Sequence, residues 1–187
     1  MGKPLDLASA GVMGPTGRSY WVVEHRFAAG AYPGKAGRGD LEQVPDVIEQ
    51  ALAARIDVFV NLTQDYPGGS DSHLTHYDSF VEGQAQIDRY PIVDLSIPTV
   101  EATVEILDAI DRRLEAGRNV YVHCWGGIGR TGTIVACWLV RHHYATPADV
   151  LDVLQELRLG DAGTGLTRVS PETPEQLGFV TDWEPDQ

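Results

Sequence analysis

One ten-residue turn constrains this chain more than any other feature. It reads His-Cys-Trp-Gly-Gly-Ile-Gly-Arg-Thr-Gly and occupies residues 123–132. Residues 119–122, before the turn, form a short apolar run typical of a buried strand. Residues 131–143, after it, are apolar on nearly all sides, as in a helix that lies at the centre of a core. A strand, a glycine-rich turn and a buried helix in succession predict an α/β fold.

The remainder of the chain repeats this alternation of strands and helices. Strands are predicted at 19–24, 27–32, 57–62 and 87–93, and helices at 40–55, 74–84, 99–116, 147–159 and 173–183. Pro91 places the strand at 87–93 at an edge or gives it an irregular end. We therefore expect a central, largely parallel sheet flanked by helices. A length of 187 residues fits one domain, residues 19–187, preceded by a loose N-terminal arm over residues 1–18.

Charge and cysteine content narrow the classes of partner. The chain has 14 Lys and Arg against 27 Asp and Glu, for a net charge of −13. A chain this acidic should bind neither nucleic acid nor an anionic membrane through a broad electrostatic field. No apolar run is long enough to span a bilayer, and residues 1–6 do not resemble a secretory signal. With only Cys124 and Cys137, the chain has no disulfide framework, and we expect a reducing, cytoplasmic location.

The turn itself has the chemistry of an anion cradle. Its glycines let successive backbone N–H groups point inward, and the helix that follows adds unpaired donors at its N-terminus. The same field favours the thiolate form of Cys124 at the edge of the cradle. Arg130, six positions later, can direct two parallel N–H groups at the same phosphate. Cys137 lies about 20 Å further along the helix, and we interpret it as a core residue.

These residues carry a family resemblance. The turn resembles the Cys-x5-Arg signature of the protein tyrosine and dual-specificity phosphatase superfamily, in its fuller form His-Cys-x-x-Gly-x-x-Arg-Thr-Gly. Residues 90–98 resemble the general-acid loop of that superfamily, with Asp94 thirty positions before Cys124. The resemblance implies a compact, dual-specificity-like member with a phosphatase fold. It also implies hydrolysis of phosphomonoesters through a phosphocysteine, without a metal or another cofactor.

The resemblance also implies a role for each site residue. Cys124 would be the nucleophile, Arg130 the phosphate clamp, and Asp94 the general acid and later the base. His123 would hold Cys124 through hydrogen bonds, and Thr131 would donate to the thiolate. The phosphate-binding loop would comprise Trp125, Gly126, Gly127, Ile128, Gly129 and Arg130.

Some of these residues have other interpretations. Asp94 can instead brace its loop, with Asp65, Asp71 or Asp78 as the acid. Residues 168–176 resemble a late segment of some relatives in which Gln positions water, the role that falls to Gln176 here. The spacing of Thr173 and Gln176 also fits a helix capping box.

Three alternatives belong to other functional classes. Residues 127–132 also read Gly-x-Gly-x-x-Gly, the fingerprint of a dinucleotide-binding turn, although no convincing strand follows. The clustered side chains of Asp71, His73, His76 and Asp78 have the chemistry of metal ligands, but their order matches no metal motif. A pseudophosphatase that binds phosphate without turnover is the third, and it would ordinarily lack the Cys, the Arg or the acid.

The loop composition also bears on the substrate. It contains no Lys, and no Lys occurs anywhere after Lys35. This counts against a polyanionic inositol phosphate or an RNA 5′ end. We expect phosphotyrosine proteins as substrates, with phosphoserine and phosphothreonine as further targets. An inositol phosphate or other small phosphomonoester is the alternative.

Overall fold

A mixed five-stranded sheet with helices on its faces forms the body of the molecule, in a computed structural model that describes residues 5–33, 44–185 and 187. The strands are β1 (Ser19–Val23), β2 (Phe27–Gly30), β3 (Val58–Asn61), β4 (Gln86–Arg89) and β5 (Val120–His123). The helices are α1 (Val44–Ala53), α2 (Asp78–Val81), α3 (Val100–Glu115), α4 (Gly129–Arg141), α5 (Val150–Arg158) and α6 (Pro174–Thr181). The α/β prediction is confirmed.

The order of the strands explains where the site lies. The sheet runs β1-β2-β5-β3-β4, with β1 antiparallel to β2 and the other three pairings parallel. Strand β5 is therefore central, and the turn that follows it opens at the carboxyl edge of the parallel strands, where α/β folds bind ligands. Strand β4 is an edge strand that ends at Arg89, two residues before Pro91, as that proline predicted.

Helix α4 is the centre of the core. Every residue from Gly129 to Val140 is buried, and the helix packs against α3, α5 and α6. Its Trp138 ring contacts the Phe27 ring of β2 with centroids 5.1 Å apart. Cys137 is fully buried on this helix, and burial raises the pKa of its thiol, as expected for an inert core cysteine.

Two segments differ from the predictions. Residues 5–18 are not loose, because Ala8 donates its N–H to the carbonyl of Val22 and Leu5, Leu7 and Val12 pack against the core. The helix predicted at 74–84 shortens to α2, because turns that follow β3 occupy the chain up to Tyr77. Residues 40–43 of the predicted helix 40–55 lie outside the described residues. In the described ranges, no helix is long and apolar enough to cross a membrane.

Candidate active site

The turn between β5 and α4 closes tightly because Gly127 lies directly against strand β2. Gly127 has a φ of +72°, and a Cβ built there would lie 2.4 Å from the carbonyl carbon of Gly30. An L side chain meets both a conformational penalty and a backbone clash at this position. The turn therefore needs glycine at 127, and its curvature sets the direction of the N–H groups on either side.

The inner surface of this turn presents unpaired donors. The backbone N–H groups of residues 126–130 donate to no acceptor in the part of the chain that the structure describes. Most residues of this stretch line one cavity with Cys124, which is 3% exposed, and the first turn of α4 adds the positive end of its dipole. Unpaired N–H groups beside a helix N-terminus favour an anion, so this geometry is compatible with the phosphate-binding loop that the sequence predicted.

The Arg130 side chain extends from the start of α4 and contacts the carboxylates of Asp71 and Asp94. Its Nη1 and Nη2 atoms donate to Oδ2 and Oδ1 of Asp71 at 2.7 and 2.9 Å, a bidentate pair in which both side chains are 1% exposed. Nη1 also donates to the carbonyl of Ile92 at 3.0 Å. Nη2 lies 2.8 Å from Oδ1 of Asp94. The guanidinium is thereby held in one orientation.

The ion pair between Arg130 and Asp71 also fixes the protonation of both side chains. Burial by itself would raise the pKa of Asp71, but hydrogen bonds from Arg130 and from the N–H of Gln64 outweigh it and hold the pKa below its ordinary value. Burial would lower the pKa of Arg130, and the carboxylate of Asp71 with the charge of Cys124 raises it instead. Asp71 is thus a carboxylate at neutral pH, which makes it a poor proton donor there.

His123 supports the cradle from behind. The side chain is fully buried, and burial lowers its pKa from 6.5 to about 3, so the imidazole is neutral. Its Nδ1 lies 3.2 Å from the carbonyl oxygen of Cys124, and its Nε2 lies 2.7 Å from the hydroxyl of Tyr77. A carbonyl can only accept, so Nδ1 carries the proton and Nε2 accepts from Tyr77. One tautomer therefore connects Tyr77 to the backbone of the nucleophile.

Asp94 faces the same cavity as Cys124 and Arg130. The three line a cavity of about 290 Å³ with Leu95 and Trp125. The Asp94 side chain is 35% exposed, and its backbone N–H donates to the hydroxyl of Ser70. The structure thus brings together the predicted nucleophile and clamp of the signature turn and the predicted acid from a separate segment. Trp125 is partly exposed beside the cavity, with its ring edge-on to that of His73.

Two of the predicted site residues have contacts that differ from the expected ones. The hydroxyl of Thr131 lies 3.5 Å from the carbonyl oxygen of Gly30, and no hydrogen bond joins it to Cys124. Gln176 lines the cavity, but its side-chain oxygen accepts from the N–H groups of Glu172 and Thr173. Its amide nitrogen donates to the carbonyl of Ser96. The capping box with Thr173 is present, and it engages the amide proposed to position water.

The alternative roles weighed for other residues find little support in their contacts. Asp65 accepts from Asn61, and Asp78 pairs with Arg89 at 2.8 Å; neither lines the cavity around Cys124. His76 bonds to the carbonyl of Asp65, and no group of three or more metal-ligating side chains converges within the described ranges. The described chain after α4 contains helices but no further strand, so the dinucleotide interpretation is wrong.

Sequence reasoning missed two contributors to the site. Asp71 was considered as a substitute acid or a metal ligand, yet it is the buried partner of Arg130, 59 positions away. Tyr77 was not considered, yet its hydroxyl sets the tautomer of His123 from 46 positions away. The signal for Asp71 was weak, since the sequence does not tell which of the 27 acidic residues lies beside Arg130.

Comparison with known proteins assigns the family. Residues 39–144 match the Tc-R-P family, described as a polymorphic toxin system DSP-PTPase phosphatase. The crystal structure of Tk-PTP in the active form is 26% identical and aligns with a TM-score of 0.61, over 85% of this chain and 91% of that one. The chain belongs to the dual-specificity and protein tyrosine phosphatase superfamily.

Two curated relatives align with this chain over only part of their own length. Dual specificity protein phosphatase CDC14C of Homo sapiens is 26% identical over 147 residues, which are 75% of this chain and 30% of that protein. Phosphatidylglycerophosphate phosphatase PTPMT1 of Arabidopsis thaliana is 38% identical over 61 residues, 33% of this chain and 18% of that protein. The chain thus matches less than a third of the length of either relative.

Proposed function

We propose that this protein hydrolyses phosphomonoesters in two steps through a phosphocysteine at Cys124. The observation that carries the proposal is the convergence of Cys124, Arg130 and Asp94 on one cavity. In the first step the Cys124 thiolate attacks phosphorus, an S–P bond forms and the P–O bond to the leaving group breaks. Asp94 gives its proton to the departing oxygen.

The second step restores the enzyme. A water molecule attacks the phosphocysteine and gives its proton to the Asp94 carboxylate. The S–P bond then breaks, which releases phosphate and returns the Cys124 thiolate. In both steps Arg130 and the backbone N–H groups of residues 126–130 stabilise the three equatorial oxygens. The bidentate contact from Asp71 supports this role, because it orients the guanidinium before substrate arrives.

For substrate, we propose phosphotyrosine proteins, with phosphoserine and phosphothreonine as further targets. The similarity to CDC14C, a dual specificity protein phosphatase, supports this class. A small or lipid-linked phosphomonoester is the second candidate, and the similarity to PTPMT1, a phosphatidylglycerophosphate phosphatase, favours it. We also propose a cytoplasmic site of action, because a reducing compartment keeps the Cys124 thiolate from being oxidised.

Replacing Cys124 by Ser tests the mechanism. We expect turnover of an aryl phosphate to fall to background, since serine is not ionised in this cradle, while the variant still binds the substrate. The matched control is Cys137→Ser, which leaves the cavity untouched. Full activity of Cys124→Ser would refute the proposal, and binding without turnover by the wild type would identify a pseudophosphatase.

Two further experiments test the intermediate and the acid. Quenched reactions of the wild type should trap phosphate on the protein. Asp94→Asn should slow the release of poor leaving groups by about 10²-fold or more.

A further inference from the structure

A second part of the cavity is lined by two arginines that the mechanism does not use. Arg18 precedes β1, and Arg168 lies between α5 and α6, yet both line the same cavity as Cys124. Neither belongs to the signature turn. The cavity of about 290 Å³ is larger than one phosphoryl group requires, since a water molecule takes up about 30 Å³.

Arg18 is fastened to the rim of the cradle. Its Nη2 donates to the carbonyl of Gly126 at 3.2 Å, and its side chain is 19% exposed. Its Nε lies 3.4 Å from Oδ1 of Asp161 but makes no hydrogen bond with it. The oxygens of Asp161 instead accept from the N–H groups of Gly163 and Thr164 and from the Thr164 hydroxyl. The Nε atom is buried, but Nη1 donates to no acceptor among the described residues, so Arg18 keeps unused donors at the rim of the cradle.

Arg168 is held by a single, exposed partner. Its Nη2 pairs with Oε1 of Glu172, four residues later, and the two side chains are 48% and 33% exposed. Such a surface pair contributes about 1 kcal/mol or less, because water screens it. A substrate anion inside the cavity can therefore compete with Glu172 for Arg168, with two parallel N–H groups available to it.

A third arginine raises the positive potential behind these two. Arg158 is fully buried and donates to the carbonyl of Arg168 and the hydroxyl of Thr164, so it anchors the backbone of the segment. No carboxylate lies within 4 Å of it among the residues with described positions, and its Nε has no partner there. Arg18, Arg168 and Arg158 thus have two carboxylate partners within 4 Å, Asp161 and Glu172. The remaining carboxylate that lines the cavity, Asp94, has Arg130 as its partner.

We propose that Arg18 and Arg168 form a second anion site, so that the preferred substrate is a phosphomonoester carrying another phosphate or carboxylate close to the scissile phosphate. The inference rests on the proposed function, because it specifies the substrate of the same cavity. It also revises the expectation drawn from the loop composition. The signature turn lacks an added cation, but packing supplies two cations from segments 108 and 42 positions away from Gly126.

Matched pairs of small substrates isolate the second charge. The first set is the 2-, 3- and 4-carboxyphenyl phosphates, each compared with the corresponding carboxamide, which has nearly the same shape and no charge. The second set is a phosphotyrosine peptide with Glu beside the phosphotyrosine, compared with the same peptide carrying Gln. For each pair we measure the ratio of kcat/KM, anionic over neutral, in wild type. The pair with the larger ratio tells whether the second anion comes from a compact ligand or from a peptide.

Three variants assign any preference to the arginines. We expect a preference of about tenfold in wild type that falls to near unity in Arg168→Gln. Glu172→Gln should increase it, because the competing carboxylate is gone while the backbone contact of residue 172 stays. Arg112→Gln, on the exposed face of α3, removes the same charge and should leave the ratio and both rates unchanged. Arg18→Gln should act like Arg168→Gln, with thermal unfolding checking that the rim of the cradle stays folded.

Binding to Cys124→Ser separates this inference from the proposed function. Dissociation constants of the same pairs are measured in Cys124→Ser, with and without Arg168→Gln, because Cys124→Ser should bind the substrates without turnover. If the wild type turns over the neutral substrates but no pair shows a preference in rate or binding, the second anion site is wrong and the mechanism stands. If no probe is turned over but Cys124→Ser prefers the anionic members through Arg168, the mechanism fails and the site stands. A preference that survives Arg168→Gln and Arg18→Gln overturns the site.

Discussion

Arg130 illustrates how one buried charge organises this site. Its guanidinium has a bidentate contact with buried Asp71 and a further contact with the more exposed Asp94. The two carboxylates differ in their surroundings, since Asp71 is 1% exposed and Asp94 is 35% exposed. Asp71 therefore acts as a permanent counter-ion that orients the clamp, and Asp94 remains accessible to a substrate. Under the proposed mechanism, one of the two acids that contact Arg130 therefore positions it and the other transfers protons.

Asp71→Asn should separate these two roles. The amide keeps the shape but loses the negative charge and one of the two acceptors, so Arg130 is oriented less firmly. We expect kcat for an aryl phosphate to fall by about 10- to 100-fold, with a smaller change in KM. The matched control is Asp78→Asn, which breaks the exposed pair with Arg89. Equal effects of the two variants on kcat would show that Asp71 does not position Arg130.

The turn and the two helices beside it act as a unit. Helix α4 begins inside the core, and its first residue, Gly129, packs against the side chain of Gln176 from α6. Gln176 in turn donates to Ser96 in the general-acid loop. The capping box of α6 therefore stabilises the helix and also links the cradle to the segment that carries Asp94. This role as a brace does not require Gln176 to contact water.

Gly127→Ala tests the tightness of the turn. The new Cβ meets the backbone of Gly30 as well as the strain of positive φ, so the turn has to shift. We expect kcat/KM to fall by about 100-fold or more, together with a lower Tm. The control is Gly117→Ala, which has a similar φ of +80° but open space around the new methyl group. It should lower Tm by about 2–4 °C for a cost near 1 kcal/mol and leave kcat/KM unchanged. Similar kcat/KM values for both variants would contradict the prediction that the turn requires glycine at position 127.

The stability of the whole domain depends on keeping His123 neutral. Its pKa is about 3 in the folded protein, depressed by burial, against 6.5 as the ordinary value. Below pH 6.5 the unfolded chain takes up a proton at this residue and the folded chain does not. The stabilisation is therefore complete above pH 6.5 and is lost as the pH falls toward 3.

Urea unfolding at pH 7 and pH 5 measures this linkage. His123 should account for a loss of about 2 kcal/mol in the free energy of unfolding over this interval. In His123→Gln, which can replace both hydrogen bonds but does not titrate, that part of the loss should vanish. Val122→Ala, in the same buried strand, should lower stability at both pH values and keep the wild-type difference. An unchanged difference in His123→Gln would assign the pH dependence to other groups.

Local patterns were enough to predict the architecture and the position of the turn. The alternation of strands and helices, the end of β4 before Pro91 and the glycine-rich turn from 123 to 132 all depend on residues within about a dozen positions of one another. Backbone geometry and side-chain period act over that range, so they leave a readable signal. The short α2 and the packed residues 5–18 escaped prediction because tertiary contacts overrode weak local preference.

The partners of the site residues depend on how distant segments pack. Asp71, Tyr77 and Arg18 contact the turn from 46 to 108 positions away, and each is one of many residues of its type in the chain. No periodicity selects one carboxylate or one arginine from a distant loop. Only the order β1-β2-β5-β3-β4 and the packing of α5 and α6 bring these side chains to the carboxyl edge of β5. The residues of the cradle are close together in the sequence. The counter-ion of Arg130, the tautomer of His123 and the presence of Arg18 in the cavity are instead set by the fold.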